Sequence, residues 1–443
     1  MLFYFWRGKL YLENNALLFY ENPVINHSLL KIGDFIMVLS FKVKNFLSFK
    51  DYASFEMYAS NYDKTKIENV IDLDEKEKNN LVKQLAIYGP NASGKSNIVE
   101  AYSLLKNIIL GSLKDDDVPL RNITFANTKE IDDSVELELQ FYANEIDKYD
   151  YVVVLKNGEI LEECLYKREP DRFALVVSRT YDSNKNKYKI KHNNNYNTNL
   201  NKFSDFSRKK ASILSLLKNF DNDTLRPIVN YFLASNVVTS SNKVCKKFNY
   251  YSTFAYTNNE GFDVVRPIDK RIRGIITHLG LGIDDIHIRE NGERKETMFS
   301  YSGLDRDLSA YENSNGTNKL FNIALSIAIS LDSGAPLFID ELDSNIHPLA
   351  AKKIIELFSS KRNRRNAQLI FTTHNPYFLD DLRRDQIWFC EKDKAVSHLY
   401  PLKSFKMRND AVISKRYMSG AFGAIPFIPS NWIEDVETKN EKK

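Results

Sequence analysis

The chain has 443 residues, 43% hydrophobic and 27% charged, the balance of an ordinary globular protein with room for one large or two medium domains. Its 62 basic and 58 acidic side chains leave a net charge of +4, too near zero to argue for a nucleic-acid partner. Cys164, Cys245 and Cys390 stand far apart without metal spacing, as reduced cytoplasmic thiols would. The histidines do not cluster either, and no long apolar run predicts a membrane span.

Residues 1–36 are aromatic-rich, but Arg7, Lys9 and Glu13 interrupt them, so they form no signal-peptide core. Two readings stand: an extension upstream of a start at Met37, or a segment that docks on a partner. From Met37, MVLSFKVKNFLSFKD opens with Leu39, Phe41 and Val43 in alternation, which predicts a first strand.

Gln84–Tyr88 predicts a short buried strand. After it, GPNASGKSN (89–97) has the G-x-x-x-x-G-K-[ST] spacing of a phosphate loop. Glycines at 89 and 94 let the backbone turn its N–H groups on one anion, with Asn91, Ala92 and Ser93 between them and Asn97 after. Lys95 would reach the terminal phosphates and Ser96 would bind Mg²⁺. Ile98, Val99, Ala101, Leu104, Leu105, Ile108 and Ile109 fall at helical spacing, and Gly111 predicts the stop. That helix would begin under the phosphates.

VELELQF (135–141) and YVVVLKNGEI (151–160) predict strands, with Asn157-Gly158 as a hairpin turn. The character changes between about 167 and 300. KHNNNYNTNLNK (191–202) reads as a polar loop, and 209–220 and 225–238 read as helices. ENSNGTNKLFNIALSIAISL (312–331) predicts a helix starting at Ser314, Gly316 and Thr317; by itself this is an ordinary N-cap. PLFIDE (336–341) is an apolar strand ending in Asp340 and Glu341, where parallel sheets place ligands. One acid would hold Mg²⁺ and the next would polarise water. QLIFTTHNP (368–376) predicts another strand, ending in His374, which would either donate to a γ-phosphate or cap the strand.

In this order the motifs resemble the ABC-type ATPase heads of the SMC/RecF/OLD group, most of all stand-alone phage-defence ATPases of the AbiL and RloA type. FKVKNFLSFKD, GPNASGKSN, ENSNGTNKLF, FIDELDSNIHP, TTHNP and RYMSGAFGAIP (416–426) carry the resemblance. It implies an α/β, two-lobed P-loop NTPase head of mixed sheet and flanking helices, with an inserted, partly helical middle region. The implied divisions are a 1–36 extension, lobe I at 37–166, a dimerisation or partner-binding insert at 167–300, lobe II at 301–410 and a tail at 411–443. The resemblance also implies ATP and Mg²⁺ between two protomers. Gly89, Asn91, Ala92, Ser93, Gly94, Lys95, Ser96 and Asn97 would hold phosphate, with Ser96 and Asp340 on the metal. Glu341 would be the general base and His374 the γ-phosphate sensor. Ser314, Gly316 and Thr317 would meet the partner's nucleotide, and Asp343 would lie on the loop between protomers. No glutamine-bearing loop is evident; Phe125-Ala126-Asn127 lies where one would fall, without the glutamine.

Three functions compete. The first is an anti-phage ATPase switch that controls a separate toxin or nuclease chain. The second is an SMC/RecF-like repair ATPase that binds DNA, for which KRNRR (361–365) and RKK (208–210) are candidate basic patches or plain solvated faces. The third is a nuclease using Asp380-Asp381, or the Arg273 and His278 pair at HEPN-like spacing. Only about 70 residues follow His374, short of a usual second catalytic domain.

Overall fold

A computed structural model describes residues 37–73, 80–111, 123–126, 134–144, 147–196, 209–217, 225–239, 255–257, 263–265, 270–280, 282–291, 294–309, 312–408 and 410–427. The expectations for residues 1–36, Asn127, Arg208, Cys245 and the end of the tail lie outside these.

The chain opens with β1 (Met37–Lys44), β2 (Ala53–Glu56), β3 (Val70–Ile71), β4 (Leu81–Val82) and β5 (Gln84–Tyr88), then helix α1 (Lys95–Leu110). A meander follows: β6 (Ser134–Tyr142), β7 (Lys148–Lys156), β8 (Glu159–Arg168), β9 (Phe173–Asp182) and β10 (Lys187–His192). The middle holds α2 (Ile213–Leu217), α3 (Arg226–Ala234), β11 (Asn236–Val238), β12 (Ala255–Thr257), β13 (Asp263–Val265) and α4 (Lys270–His278). Next come β14 (Asp285–Asn291), β15 (Arg294–Ser300), β16 (Leu308–Ser309), α5 (Asn315–Ser333), β17 (Leu337–Ile339) and α6 (Pro348–Ser359). The last elements are β18 (Leu369–Thr373), β19 (Ile387–Asp393), β20 (Val396–Pro401) and α7 (Ile413–Met418).

Two sheets organise these elements. One is antiparallel, in the order β10-β9-β8-β7-β6-β1-β2. The other runs β11-β17-β18-β5-β19-β20, parallel except for its β20 edge. This is a mixed α/β architecture, an antiparallel sheet set beside the mainly parallel sheet that carries the glycine-rich loop. Alternation explains the first sheet: Leu39, Phe41 and Val43 are all buried. At the β7–β8 turn, Asn157 and Gly158 both have positive φ (52° and 77°), as the tight two-residue hairpin requires.

Helix α1 lies between the sheets. Its Tyr102 meets Phe41 edge-on at 5.9 Å and stacks on Phe338 of β17 at 3.8 Å. Each such buried ring or aliphatic chain contributes about 1.5–3 kcal/mol. A buried amide joins the sheets: the Val38 N–H donates to Gln368 Oε1 at 2.7 Å, and Gln368 Nε2 donates to the Val38 carbonyl at 3.1 Å.

The middle region departs from expectation in two places. Residues 167–192, expected to open the insert, complete the antiparallel sheet. The stretch 225–238, expected as one helix, is helical only over Arg226–Ala234 and then turns into β11. Strand β11 pairs with β17, a partner a hundred residues away that local periodicity does not register. Helix α2 is anchored by a buried pair: Arg179 Nε donates to Glu163 Oε2 at 2.8 Å, and Glu163 also accepts from the Ile213 N–H and the Tyr151 hydroxyl. The Ser212 N–H donates to the Ile108 carbonyl of α1, so the middle region begins on the phosphate-loop helix. Among the described residues, no helix is long and apolar enough to cross a membrane.

Candidate nucleotide-binding site

The strands β17, β18 and β5 lie side by side, with Ile339, Phe371 and Ala86 in register. Their C-terminal ends therefore bring Asp340-Glu341, His374 and Gly89 to one edge. The acid strand and the phosphate-loop strand are not neighbours, because β18 lies between them.

The phosphate loop turns tightly. Gly94, at φ 110°, caps α1, and Ala92 also has positive φ. A Cβ on Gly94 would lie 2.5 Å from Ser397 Oγ and 2.8 Å from Ser48 Oγ, and one on Gly89 would collide with the Cys390 carbonyl. Only glycine fits either position. Asn91 and Ala92 form the exposed crown, while Ser93, Lys95 and Asn97 are buried and Ser96 is half-buried. Lys95 Nζ folds into the loop and donates to the Gly89 and Pro90 carbonyls at 2.8 and 2.9 Å. Burial lowers its pKa, opposed by Cys390, Asp340, Glu341 and Asp343. The acids of the β17 edge are thus within electrostatic reach of the lysine.

A network absent from the motif reading backs this loop. The turn Phe46–Phe49 closes on itself, with the Phe46 and Phe49 amides and carbonyls bonded at 2.8 Å. It presents Ser48 Oγ to Asn97 Nδ2 and Ser397 Oγ, each at 2.7 Å. Ser397 Oγ also reaches the Ser93 carbonyl at 2.5 Å. This accounts physically for NFLSF, but Ser397 carried no sequence signal.

At the acid edge, Asp340 is fully buried. Thr372 Oγ1 donates to its Oδ1 at 2.7 Å and accepts the Glu341 N–H at 2.7 Å. The Asp340 N–H donates to the Val238 carbonyl of β11 at 2.7 Å. Glu341, half-buried, takes a left-handed backbone (φ 50°), costly for a residue with a Cβ. Its carbonyl accepts from the Ser344 N–H and from Lys319 Nζ at 2.7 Å. Burial lowers the Lys319 pKa, while Glu341, Asp340 and Asp343 raise it. Sequence reasoning missed both Thr372 and Lys319; a hydroxyl in an otherwise apolar strand was the available signal for the first.

Ser314 is the N-cap of α5, accepting the Thr317 N–H at 3.1 Å. A Cβ on Gly316 would lie 2.6 Å from the Asn345 carbonyl, so α5 starts against the loop after Glu341. His374 is 53% exposed, with Nε2 3.8 Å from Asp343 Oδ2. Asp343, expected on a loop crossing between protomers, has a side chain only 5% exposed and faces His374 of its own chain. Phe125 is buried, and its N–H donates to Asn45 Oδ1 at 3.2 Å, beside the Ser48 turn.

The alternative chemistry is not assembled. Asp380 caps α7, accepting the Ile413 N–H at 2.7 Å, while Asp381 pairs with Lys352 at 2.7 Å, so each carboxylate has a separate structural partner. Arg273 pairs with Asp285, and His278 Nδ1 bonds the Gly274 carbonyl at 2.7 Å. In the basic run 361–365, Asn363 is buried and bonds the Phe358 and Ala367 carbonyls. Lys209 pairs with Glu159 at 3.1 Å. Among the described residues no three His, Cys, Asp or Glu side chains converge as a metal group.

A family model described as AAA domain, putative AbiEii toxin, type IV TA system matches residues 85–380. No curated protein matches the chain. Among solved structures, the SMC head domain from Thermotoga maritima is 15% identical with a TM-score of 0.38, covering 82% of this chain and 98% of its own. An Smc head bound to the C-winged helix domain of ScpA is 18% identical at a TM-score of 0.43, covering 83% and 99%. An Smc head with an extended coiled coil, bound to the C-terminal domain of ScpA derived from Pyrococcus furiosus, is 14% identical at 0.42, covering 84% and 98%.

Proposed function

The chain belongs to that AAA-domain family, and on this premise we propose that it is an ATP-hydrolysing switch whose copies close on nucleotide. One observation carries the reading: the phosphate loop, the Thr372-held Asp340-Glu341 pair and His374 share the edge of three adjacent parallel strands. The site's own chemistry fits a magnesium nucleotide. Tight glycines leave room for phosphate, Lys95 is buried and folded into the loop, and the fully buried Asp340 carboxylate stands on the same strand edge.

Backbone N–H groups from Gly89 to Asn97 and the Lys95 ammonium would hold the phosphates. Ser96 and Asp340 would hold Mg²⁺, which neutralises phosphate charge when bound. Glu341 takes the proton of the attacking water as oxygen bonds to the γ-phosphorus and the bond to ADP breaks. His374 donates to the γ-phosphate, and Asp343 holds its ring. Ser314, Gly316 and Thr317 form the helix start that meets the nucleotide of a second copy. Such an edge is complete only in the closed pair, so hydrolysis releases the assembly.

The biological setting we propose is anti-phage defence, in the cytoplasm, with a separate toxin or nuclease chain as the controlled effector. The toxin–antitoxin description of the family supports this setting, and the buried free thiols Cys164 and Cys390 suit a reducing compartment. Light-scattering mass with ATP and Mg²⁺ tests the switch. Glu341→Gln should hydrolyse about 10²- to 10⁴-fold more slowly and stay assembled in ATP, while Ser314→Arg should remain apart. A mass that ignores ATP in every variant would refute it. Duplex DNA binding with a steep salt dependence would instead favour the repair-ATPase reading.

A further inference from the structure

The segment RYMSGAFGAIP has no part in the mechanism above, yet it is built into the site at three points. Its helix α7 starts on Asp380: the Ile413 and Ser414 N–H groups donate to Asp380 Oδ1 at 2.7 and 3.2 Å, and Ser414 Oγ bonds the other carboxylate oxygen. Asp380 is the last residue but one of the turn Pro376–Asp381, which begins two residues after His374. In its middle, the Tyr417 ring stacks on Phe389 at 5.6 Å and meets Tyr88 edge-on at 5.8 Å. Tyr88 directly precedes Gly89 of the phosphate loop.

At its end, the segment clasps the β19–β20 hairpin. Tyr400 Oη lies 2.9 Å from both the Phe422 carbonyl and Glu391 Oε2, its one proton shared between these acceptors, and the Ala424 N–H donates to the same Glu391 oxygen at 3.1 Å. The Phe422 ring covers Phe389 at 5.6 Å, and Tyr417 Oη closes the turn on the Ala424 carbonyl at 2.8 Å. Glycine is obligatory here: Gly423 has φ 69°, and a Cβ on it would lie 2.6 Å from Glu391 Oε2 and 2.8 Å from Tyr400 Oη. This hairpin supplies the Cys390 carbonyl that abuts Gly89 and the Ser397 hydroxyl that holds Ser93.

We infer that Ile413–Ile425 is a strut that ties the His374 segment to the phosphate-loop hairpin, so that nucleotide binding and docking of the tail stabilise each other. A tail that only covered a sheet edge would need one apolar contact. This one makes directional bonds to both segments that flank the nucleotide and stacks next to the strand that feeds the loop. Asp380, Glu391 and Tyr400 are its positioning residues. By linkage, whatever tightens nucleotide binding through the tail is matched by nucleotide tightening the tail.

The inference rests on the ATPase reading, and the experiment separates the two. In the full chain, amide hydrogen exchange over 413–425 is compared with and without a non-hydrolysable ATP analogue and Mg²⁺, alongside the analogue's Kd and the kcat of ATP hydrolysis. We expect the analogue to slow exchange there about fivefold or more. Gly423→Val should raise Kd by a similar factor. Asp380→Ala, which frees the start of α7, should likewise raise Kd and lower kcat, and Asp380→Asn, which keeps an acceptor, should restore both. If the analogue binds but tail exchange and the Asp380→Ala constants stay at their unaltered values, the strut is refuted alone. If the unaltered chain binds no nucleotide, the ATPase reading falls and the strut falls with it.

Discussion

Thr372→Val isolates the hydroxyl that holds the acid edge. Valine keeps the branched shape but removes a donor to the buried Asp340 carboxylate and an acceptor for the Glu341 N–H, both at 2.7 Å. Losing the hydrogen bond to the buried carboxylate costs about 1.5–3 kcal/mol and taking the acceptor from the Glu341 N–H adds to it, so roughly 3 kcal/mol is at stake. If that support is needed as the γ-phosphate transfers, the loss corresponds to an approximately 100-fold fall in kcat. The assay is phosphate release at saturating ATP, with nucleotide Kd measured separately, since Lys95 and the loop glycines are untouched. Thr372→Ser keeps the hydroxyl and should stay close to the unaltered rate. A Thr372→Val enzyme at nearly full rate, or a serine variant no better than the valine one, would refute the reasoning.

Gly94→Ala should abolish nucleotide binding in a fluorescent-nucleotide titration, because its Cβ has no room against Ser397 and Ser48. Glu163→Ala should destabilise by about 3–5 kcal/mol in chemical unfolding by stranding the buried Arg179 charge, and adding Arg179→Met should recover much of that loss. Burial raises the Asp150 carboxyl from 3.8 to about 6, helped by Glu138 and opposed by Gln140, Lys42 and Lys148. Its folded value exceeds its unfolded one, so the folded chain keeps the proton and stability falls as pH rises from about 4 to about 6. Asp150→Asn should therefore raise Tm at pH 7.5 and change it little at pH 4.

Much of the site was legible because its chemistry is local. The β5–loop–α1 unit follows from a five-residue apolar run, two glycines and a helical apolar stripe, and Asn157-Gly158 fixes its hairpin with two residues. The strand ends at Asp340 and His374 follow from short apolar runs. What escaped depends on distant neighbours. Asn236–Val238 is too short to show a period of two, and only pairing with β17 makes it a strand. The β18 strand separates the acids from the phosphate loop, an order no single stretch specifies. Lys319 and Ser397 look like surface residues until the Glu341 carbonyl and the Ser93 carbonyl are placed beside them. Asp380 and Asp381 look like a metal pair until α7 and Lys352 claim one each.

The strand order also sets a timetable for synthesis. The antiparallel meander closes through neighbouring hairpins, so its strands pair soon after they leave the ribosome. Strand β5 has no such neighbour: its partners are β18 and β19, and roughly 280 more residues must be made before the first of them exists. At about 5–20 residues per second, the buried face of Gln84–Tyr88 waits on the order of 15–60 s without its sheet. Over that interval the most ligand-critical strand of the protein is an unpaired apolar edge, open to aggregation or to a chaperone. Nascent chains halted before residue 369 should therefore be the ones that chaperones hold.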